Sequence, residues 1–160
     1  MKINNDKILL IGSGNMAYEY LKVLKALNKK VIIVGRGKTN ILKLKEFFPG
    51  FEYHHGGLDN YINAGKHISK TAINTVNIDY LKKTSISLLE AGVNNLLIEK
   101  PGSLSIDGLK EIKKLSNKKN ATVSIAYNRR FYSSVLTLKN LIEEDGGVSS
   151  CHFEFTEWVE

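Results

Sequence analysis

The sequence predicts a doubly wound α/β sheet of parallel strands, and three observations predict it. Short aliphatic runs recur along the chain, as in Ile8-Leu9-Leu10-Ile11, Val31-Ile32-Ile33-Val34 and Leu96-Leu97-Ile98. They are continuous rather than alternating, which is the pattern of strands covered on both faces. Between them the apolar residues fall at helical spacing, so strand and helix signals alternate from the N-terminus onward.

Each element follows from its own residues. Lys7 to Ile11 is the first strand, and Asn15 to Leu27 a helix with Met16, Tyr20, Leu21, Leu24 and Leu27 on one side. Val31 to Val34 is the second strand, stopped by Gly35-Arg36-Gly37. A helix over Ile41 to Phe48 ends at Pro49-Gly50. Phe51 to Tyr53 is a weaker strand, followed by the loop His54-His55-Gly56-Gly57 and a short helix from Leu58 to Asn63. Thr71 to Thr75 is the fourth strand. The helix from Ile78 to Ala91 ends at Gly92, which suits a helix C-terminus. Asn95 to Ile98 is the fifth strand. Ser105 caps a helix running to Asn117, and Ala121 to Tyr127 is the sixth strand. A helix from Phe131 to Glu144 and an alternating strand from Val148 to Val159 close the chain. That last segment, with aromatics and acids together, suits a mixed or antiparallel sheet with one wet face.

At 160 residues the length suits one domain of ordinary size, and 42% hydrophobic with 24% charged residues is a soluble balance. No apolar run approaches the roughly 20 residues of a membrane span. The N-terminus leads directly into a strand without a signal-peptide core. Cys151 is the only cysteine, so no disulfide framework or cysteine metal cluster is expected. A cytoplasmic location follows as the simplest expectation. The net charge of +7 raises the question of nucleic acid. The lysines are scattered over helices without interleaved aromatics, so a solvated basic surface is expected and nucleic acid is not.

Two strand ends carry chemistry. Gly12-Ser13-Gly14-Asn15-Met16-Ala17 matches G-x-G-x-x-G/A between a strand and a helix. The first glycine permits the tight turn, the second admits a pyrophosphate close to the backbone, and small Ala17 lets helix and strand approach. The helix N-terminus adds free N–H groups and positive potential. Gly12, Ser13, Gly14, Asn15 and Met16 are therefore candidate cofactor contacts. The second strand ends in Val34-Gly35-Arg36-Gly37-Lys38, without the acid that usually holds the 2′-hydroxyl of NAD. Arg36 can stack on adenine and neutralise a 2′-phosphate, so NADP is the preferred cofactor and NAD the alternative. Glu99-Lys100-Pro101 falls where the fifth strand runs out, at the ligand crevice of an open parallel sheet. Lys100 there suits a cation that polarises a substrate oxygen.

These motifs, with Tyr127-Asn128-Arg129-Arg130-Phe131 after the sixth strand, resemble the N-terminal half of the glucose–fructose oxidoreductase/inositol dehydrogenase/MocA family. The resemblance covers nearly the whole chain. It implies a Rossmann domain over residues 1–128, with 129–160 as connecting helix and first strand of an incomplete C-terminal substrate domain. The implied activity moves a hydride between a nicotinamide ring and a sugar, sugar-nucleotide or cyclitol carbon. By the same resemblance Lys100 is the catalytic residue, and Glu99, Pro101 and Arg129 join the cofactor side. Thr75 and Asn77 supply polar contacts, although Thr75-Val76-Asn77 departs from the family's usual Thr-Pro-Asn.

The family's catalytic histidine, in an Asp-x-x-x-His helix of the second domain, would lie beyond residue 160. His54, His55, His67 and His152 have no metal-ligand spacing and read as surface or structural residues. The expectation is a chain that binds cofactor and turns over little, the alternative being a non-catalytic dinucleotide-binding module. Self-association through the exposed terminal strand is a further expectation.

Overall fold

The computed structural model describes residues 4–152 and 154, and the chain divides into two compact units, 1–126 and 127–160. The first unit runs β1 (Asn4–Ile11), α1 (Asn15–Ala26), β2 (Lys30–Val34), α2 (Lys38–Phe47), β3 (Glu52–His54) and α3 (Gly57–Asn63). It continues through β4 (Ser69–Asn74), a 3₁₀ turn at Ile78–Tyr80 leading into α4 (Leu81–Glu90), β5 (Asn95–Ile98), α5 (Ile106–Lys119) and β6 (Thr122–Ile125). All six strands are parallel in one sheet ordered β3-β2-β1-β4-β5-β6. The chain thus winds outward from β1 to one edge, returns to β4 on the other side of β1, and winds outward again. This is the doubly wound fold that the strand signals predict, with its topological switch between β1 and β4.

The period of two in each strand sorts the core into two layers. Leu9 and Ile11 join Ile32, Val34, Ala72, Leu96 and Ile98 beneath α3, α4 and α5. Leu10 joins Val31, Ile33 and Ile73 beneath α1 and α2, meeting Ala17, Leu21, Leu24, Ile41 and Leu44. Both faces of the central strands are therefore covered, which accounts for their unbroken aliphatic sequence. Each fully buried Leu or Ile contributes roughly 1.5–3 kcal/mol relative to exposure.

Several boundaries differ from the sequence expectation. In α1 the buried stripe is Ala17, Leu21 and Leu24, while Met16 and Leu27 are 44% and 59% exposed. Met16 stands in the first turn above the sheet's rim, and Leu27 follows the last helical residue. α2 begins at Lys38 rather than Ile41, directly after Gly37. His54 belongs to β3, not to the loop after it. The helix expected to begin at Ile78 opens as a 3₁₀ turn, because the Asn77 side chain accepts from the Asp79 N–H and tightens the first turn. β6 ends at Ile125, short of Tyr127.

Two capping expectations hold. The Ser105 side chain accepts from the Gly108 N–H at the start of α5. Gly92 takes φ +99° just beyond α4, where the Gly92 and Val93 amides close back onto Leu89 and Leu88.

The second unit holds a 3₁₀ turn at Asn128–Phe131 and α6 (Ser133–Glu144). The helix expected from Phe131 therefore starts two residues later, after extended Tyr132. The strand expected over 148–159 is not formed at residues 148–152 or 154, and the remainder lies outside the described residues. Glycines 146 and 147 carry φ +81° and +120° there, so the chain leaves α6 through a turn.

Candidate functional site

The strands end level with one another. Register pairs His54 with Val34, Val34 with Ile11, Ile11 with Asn74, Asn74 with Ile98, and Ile98 with Ile125. One residue further, each chain still donates to its neighbour. The Gly35 amide bonds the His54 carbonyl at 3.0 Å, Gly12 bonds Val34 at 2.9 Å, Thr75 bonds Ile11 at 2.8 Å, and Glu99 bonds Asn74 at 3.0 Å. Gly35, Gly12, Thr75 and Glu99 consequently form one row across four strands, with roughly 4.8 Å between neighbours. Residues about ninety apart in sequence are brought into a single rim.

At the centre of the rim the glycine loop is built by exclusion. Gly12 has φ +122°, and a β-carbon on it would lie 2.8 Å from the Thr75 carbonyl oxygen. The Thr75 hydroxyl in turn donates to the Ile11 carbonyl at 2.9 Å, locking β1 to β4 at this point. Gly35 leaves room for Ser13, whose Oγ would lie 2.6 Å from an added β-carbon. Gly14 differs from both. It has an ordinary φ of −92°, and a β-carbon there would meet nothing within 4 Å. Its small size keeps open space in front of the first turn of α1.

That turn is chemically bare. Gly14 caps α1 without a side-chain hydrogen bond, and the first turn holds no acid. Its leading N–H groups and the positive end of the helix dipole therefore face the opening unopposed, the arrangement that receives phosphate. In front lies a cavity of about 630 Å³ bounded by the loops after β1, β2, β3 and β4. Of the candidate residues, Gly12, Ser13, Gly14, Asn15, Met16, Arg36, Thr75 and Asn77 all line it.

Two of these have their side chains engaged. Thr75 has committed its hydroxyl to Ile11, as above, and Asn77 Oδ1 accepts from Asp79 at 3.2 Å. Arg36 lies at the outer end with its guanidinium carbon 4.7 Å from the centre of the Tyr80 ring. This cation–π contact pins a long side chain between the loops after β2 and β4. The Arg36 carbonyl accepts from Gly56, and its aliphatic stem lies 3.5 Å from where a β-carbon on Gly57 would be. Lys83 and Asp59, ion-paired at 3.4 Å, complete the same wall.

The strand-five end does not line this cavity; it continues the rim past Thr75. Glu99, Lys100, Pro101 and Gly102 form a turn closed by the Gly102 N–H donating to the Glu99 carbonyl at 2.9 Å, with a cis Lys100–Pro101 bond. Lys100 is exposed, and among the described residues it has no ion-pair partner. Glu99 is half-buried and accepts a 2.7 Å hydrogen bond from the Tyr20 hydroxyl of α1. Burial first, and then the Glu99 carboxylate, push the Tyr20 phenol well above its usual range. Tyr20 therefore remains a neutral donor to this carboxylate. Arg129 lies in the 3₁₀ turn of the second unit, exposed, beside Arg130 stacked on Phe131.

Sequence reasoning missed Tyr80, Asn40, Asp59 and Lys83 on the cavity wall, and it placed Tyr20 merely in a helix face. No local motif marks them. The signal available was topological: in a sheet of this order the loops after β2 and β4 flank the one after β1. Among the described residues no group of three or more His, Cys, Asp or Glu side chains could hold a metal ion.

The model of an oxidoreductase family with an NAD-binding Rossmann fold, designated GFO_IDH_MocA, matches residues 7–127. No curated protein sequence matches the chain. Among solved structures, the WlbA dehydrogenase of Chromobacterium violaceum, in complex with NADH and UDP-GlcNAcA, superposes with a TM-score of 0.78 at 18% identity. It matches over 91% of this chain and 41% of its own. GenD2 from gentamicin A biosynthesis, in complex with NAD, gives a TM-score of 0.77 at 17% identity, over 94% of this chain and 42% of that one. A Desulfitobacterium hafniense protein assigned as an NADPH-dependent oxidoreductase gives 0.76 at 17%, over 91% and 41%. At these identities the likeness is one of fold, and the chain spans about 41% of the length of such structures.

Proposed function

The chain belongs to the GFO_IDH_MocA oxidoreductase family with its NAD-binding Rossmann fold, and we propose that it is the cofactor-binding part of a dehydrogenase or reductase acting on sugar-like substrates. The observation that carries this reading is the row Gly35, Gly12, Thr75, Glu99 with a bare helix N-terminus facing the cavity in its middle. That environment fits a nicotinamide dinucleotide: open space in front of Gly14 and unspent N–H donors suit a pyrophosphate, and the cavity extends to a pinned arginine. Such a cofactor supplies the hydride acceptor or donor.

The chain's own residues divide the remaining work. Gly12 to Met16 hold the phosphates through backbone amides. Thr75 and Asn77 fix the turn beside them, so their contribution to a ligand is chiefly shape and backbone. Lys100, exposed next to the rim, hydrogen-bonds the reacting hydroxyl and stabilises negative charge on its oxygen as the proton leaves. Glu99 and Pro101 shape the nicotinamide side. Residues 129–160 would begin a second domain, which by the family resemblance is the one that carries the proton-accepting histidine in an Asp-x-x-x-His helix. The substrate class is a sugar, sugar nucleotide or cyclitol, the class that includes the UDP-GlcNAcA bound by the WlbA neighbour.

For the cofactor, NADP is favoured. Arg36 occupies the place after β2 where NAD-binding sheets usually carry an acid, and Tyr80 holds its guanidinium in position. Asp59 lines the same cavity but is paired with Lys83, which offsets its charge. The test is a fluorescence titration of the chain with NADPH and with NADH. NADPH binds more tightly, and Arg36→Ala lowers NADPH affinity about tenfold with little effect on NADH, the loss of one hydrogen bond to a charged group. Tighter NADH binding, indifferent to Arg36→Ala, would overturn the NADP assignment. Hydride transfer to sugar substrates by these 160 residues alone would contradict the assignment of the proton acceptor to a second domain.

A further inference from the structure

The rim described above has two parts that a dinucleotide would have to reach at once. One is the helix N-terminus of α1. The other is the strand-five turn carrying Lys100. In the sheet they are separated by β4, and the backbone ladder joins them only through β4. One side-chain contact spans that gap directly. Tyr20, on the second turn of α1, donates its hydroxyl to Glu99 Oε1 at 2.7 Å, across 79 residues of sequence.

The contact is well suited to fix geometry. Tyr20 packs against the buried layer formed by Leu10, Ala17 and Leu21, so its ring is held by α1 and the sheet. Glu99 is fixed at its backbone by the bond from its own N–H to Asn74 and by the turn closed at Gly102. Gly102 takes φ +85°, a conformation that L side chains rarely adopt, with the Ile125 and Leu109 side chains close beside it. Both partners are therefore anchored, and the bond between them costs little further ordering. The raised phenol keeps the donor protonated, and Glu99 is the acceptor that a charge-assisted bond of this length requires. Among the described residues Tyr20 is the one side chain that hydrogen-bonds Glu99.

We propose that Tyr20 is a positioning residue for the nicotinamide end of the site: through Glu99 it holds the Lys100 turn at a set distance from the phosphate-binding end of α1. The proposal rests on the dinucleotide reading above. Tyr20 touches neither phosphate nor hydride; it acts through Glu99. Its removal changes how the two halves of a ligand are held together, and leaves the half bound at the glycine loop unaffected.

The experiment compares two ligands on the full 160-residue chain. NADPH spans both ends, whereas 2′-phospho-ADP-ribose lacks the nicotinamide ring. Isothermal titration is made on the wild type, Tyr20→Phe, Glu99→Gln and the double variant, with far-UV circular dichroism confirming that each is folded. Tyr20→Phe weakens NADPH about five- to tenfold, as for one hydrogen bond to a charged group, and leaves 2′-phospho-ADP-ribose unchanged. It also alters the emission of the bound reduced nicotinamide. The double variant binds NADPH no more weakly than the weaker single variant, since both act through one bond.

Equal loss for both ligands, or additive losses in the double variant, would overturn the positioning role. So would a wild type that binds the two ligands with equal affinity. A wild type that binds neither refutes the dinucleotide reading itself, and the proposal with it. If Tyr20→Phe does not fold, Tyr20→Leu, which likewise removes the hydroxyl and keeps an apolar side chain on α1, is read against the same outcomes.

Discussion

At the scale of single residues, the glycine loop separates two kinds of glycine that the motif treats alike. Gly12 is required by the protein itself, through φ +122° and the Thr75 carbonyl that faces it. Gly14 has neither demand, and its lack of a side chain serves the space in front of it. Gly12→Ala is therefore expected to destabilise the fold by about 1–3 kcal/mol, read as a lowered urea midpoint. Gly14→Ala is expected to lower that midpoint by no more than about 1 kcal/mol, the cost of an alanine at a helix N-cap, while weakening NADPH binding at least tenfold. Equal destabilisation by the two would refute the distinction. Residues 12 to 17 were legible in the sequence because a tight turn and a helix start make local demands on residue type. Arg36 was legible for the same reason, as a charge where an acid is usual. Tyr80 and Tyr20 were not, because their roles depend on partners 44 and 79 residues away that only the topology brings near.

At the scale of elements, every strand of the first unit and the order of its helices could be read from aliphatic runs and helical spacing, since burial on both faces leaves that mark. Errors fell where hydrophobicity is a poor guide. Ala17 is fully buried yet small, so the stripe on α1 was drawn through Met16 and Leu27 instead. The 3₁₀ turn before α4 arises from an Asn77 hydrogen bond that periodicity does not register. Capping was easier, because it rests on one residue type at one position. Ser105 accepts from the Gly108 N–H, with Asp107 in the first turn and Lys118 and Lys119 in the last. Ser105→Ala is expected to cost about 1 kcal/mol, and Ser105→Asp to restore it, measured by urea unfolding of the three proteins. A neutral Ser105→Ala would mean that α5 is held by packing on α4 and β6 alone.

At the scale of the whole molecule, titration ties the fold to solution conditions. The Tyr53 hydroxyl donates to the carbonyls of Phe48 and Leu44, and that of Tyr61 to His67. Burial pushes both phenols up to about 12, with the Glu52 charge assisting at Tyr61. Both hydroxyls are protonated in either state below pH 10, so their contribution is fully present there. Between about 10 and 12 the unfolded chain loses these protons first, and stability falls as pH rises. A Tyr53→Phe/Tyr61→Phe variant should show a shallower decline over that window in denaturant titrations, and an unchanged slope would refute this origin. No helix among the described residues is long and apolar enough to cross a membrane. The strand order β3-β2-β1-β4-β5-β6 is what makes the site: it sets the ends of β2, β1, β4 and β5 side by side. The central claim is that one dinucleotide lies along that row. The most direct measurement is the backbone amide NMR spectrum of the chain as NADPH is added. Shifts concentrated at Gly12 to Met16, Arg36, Thr75 to Asn77 and Glu99 to Lys100 are the predicted result. Shifts absent from the glycine loop, or spread over the far ends of the strands, would contradict it.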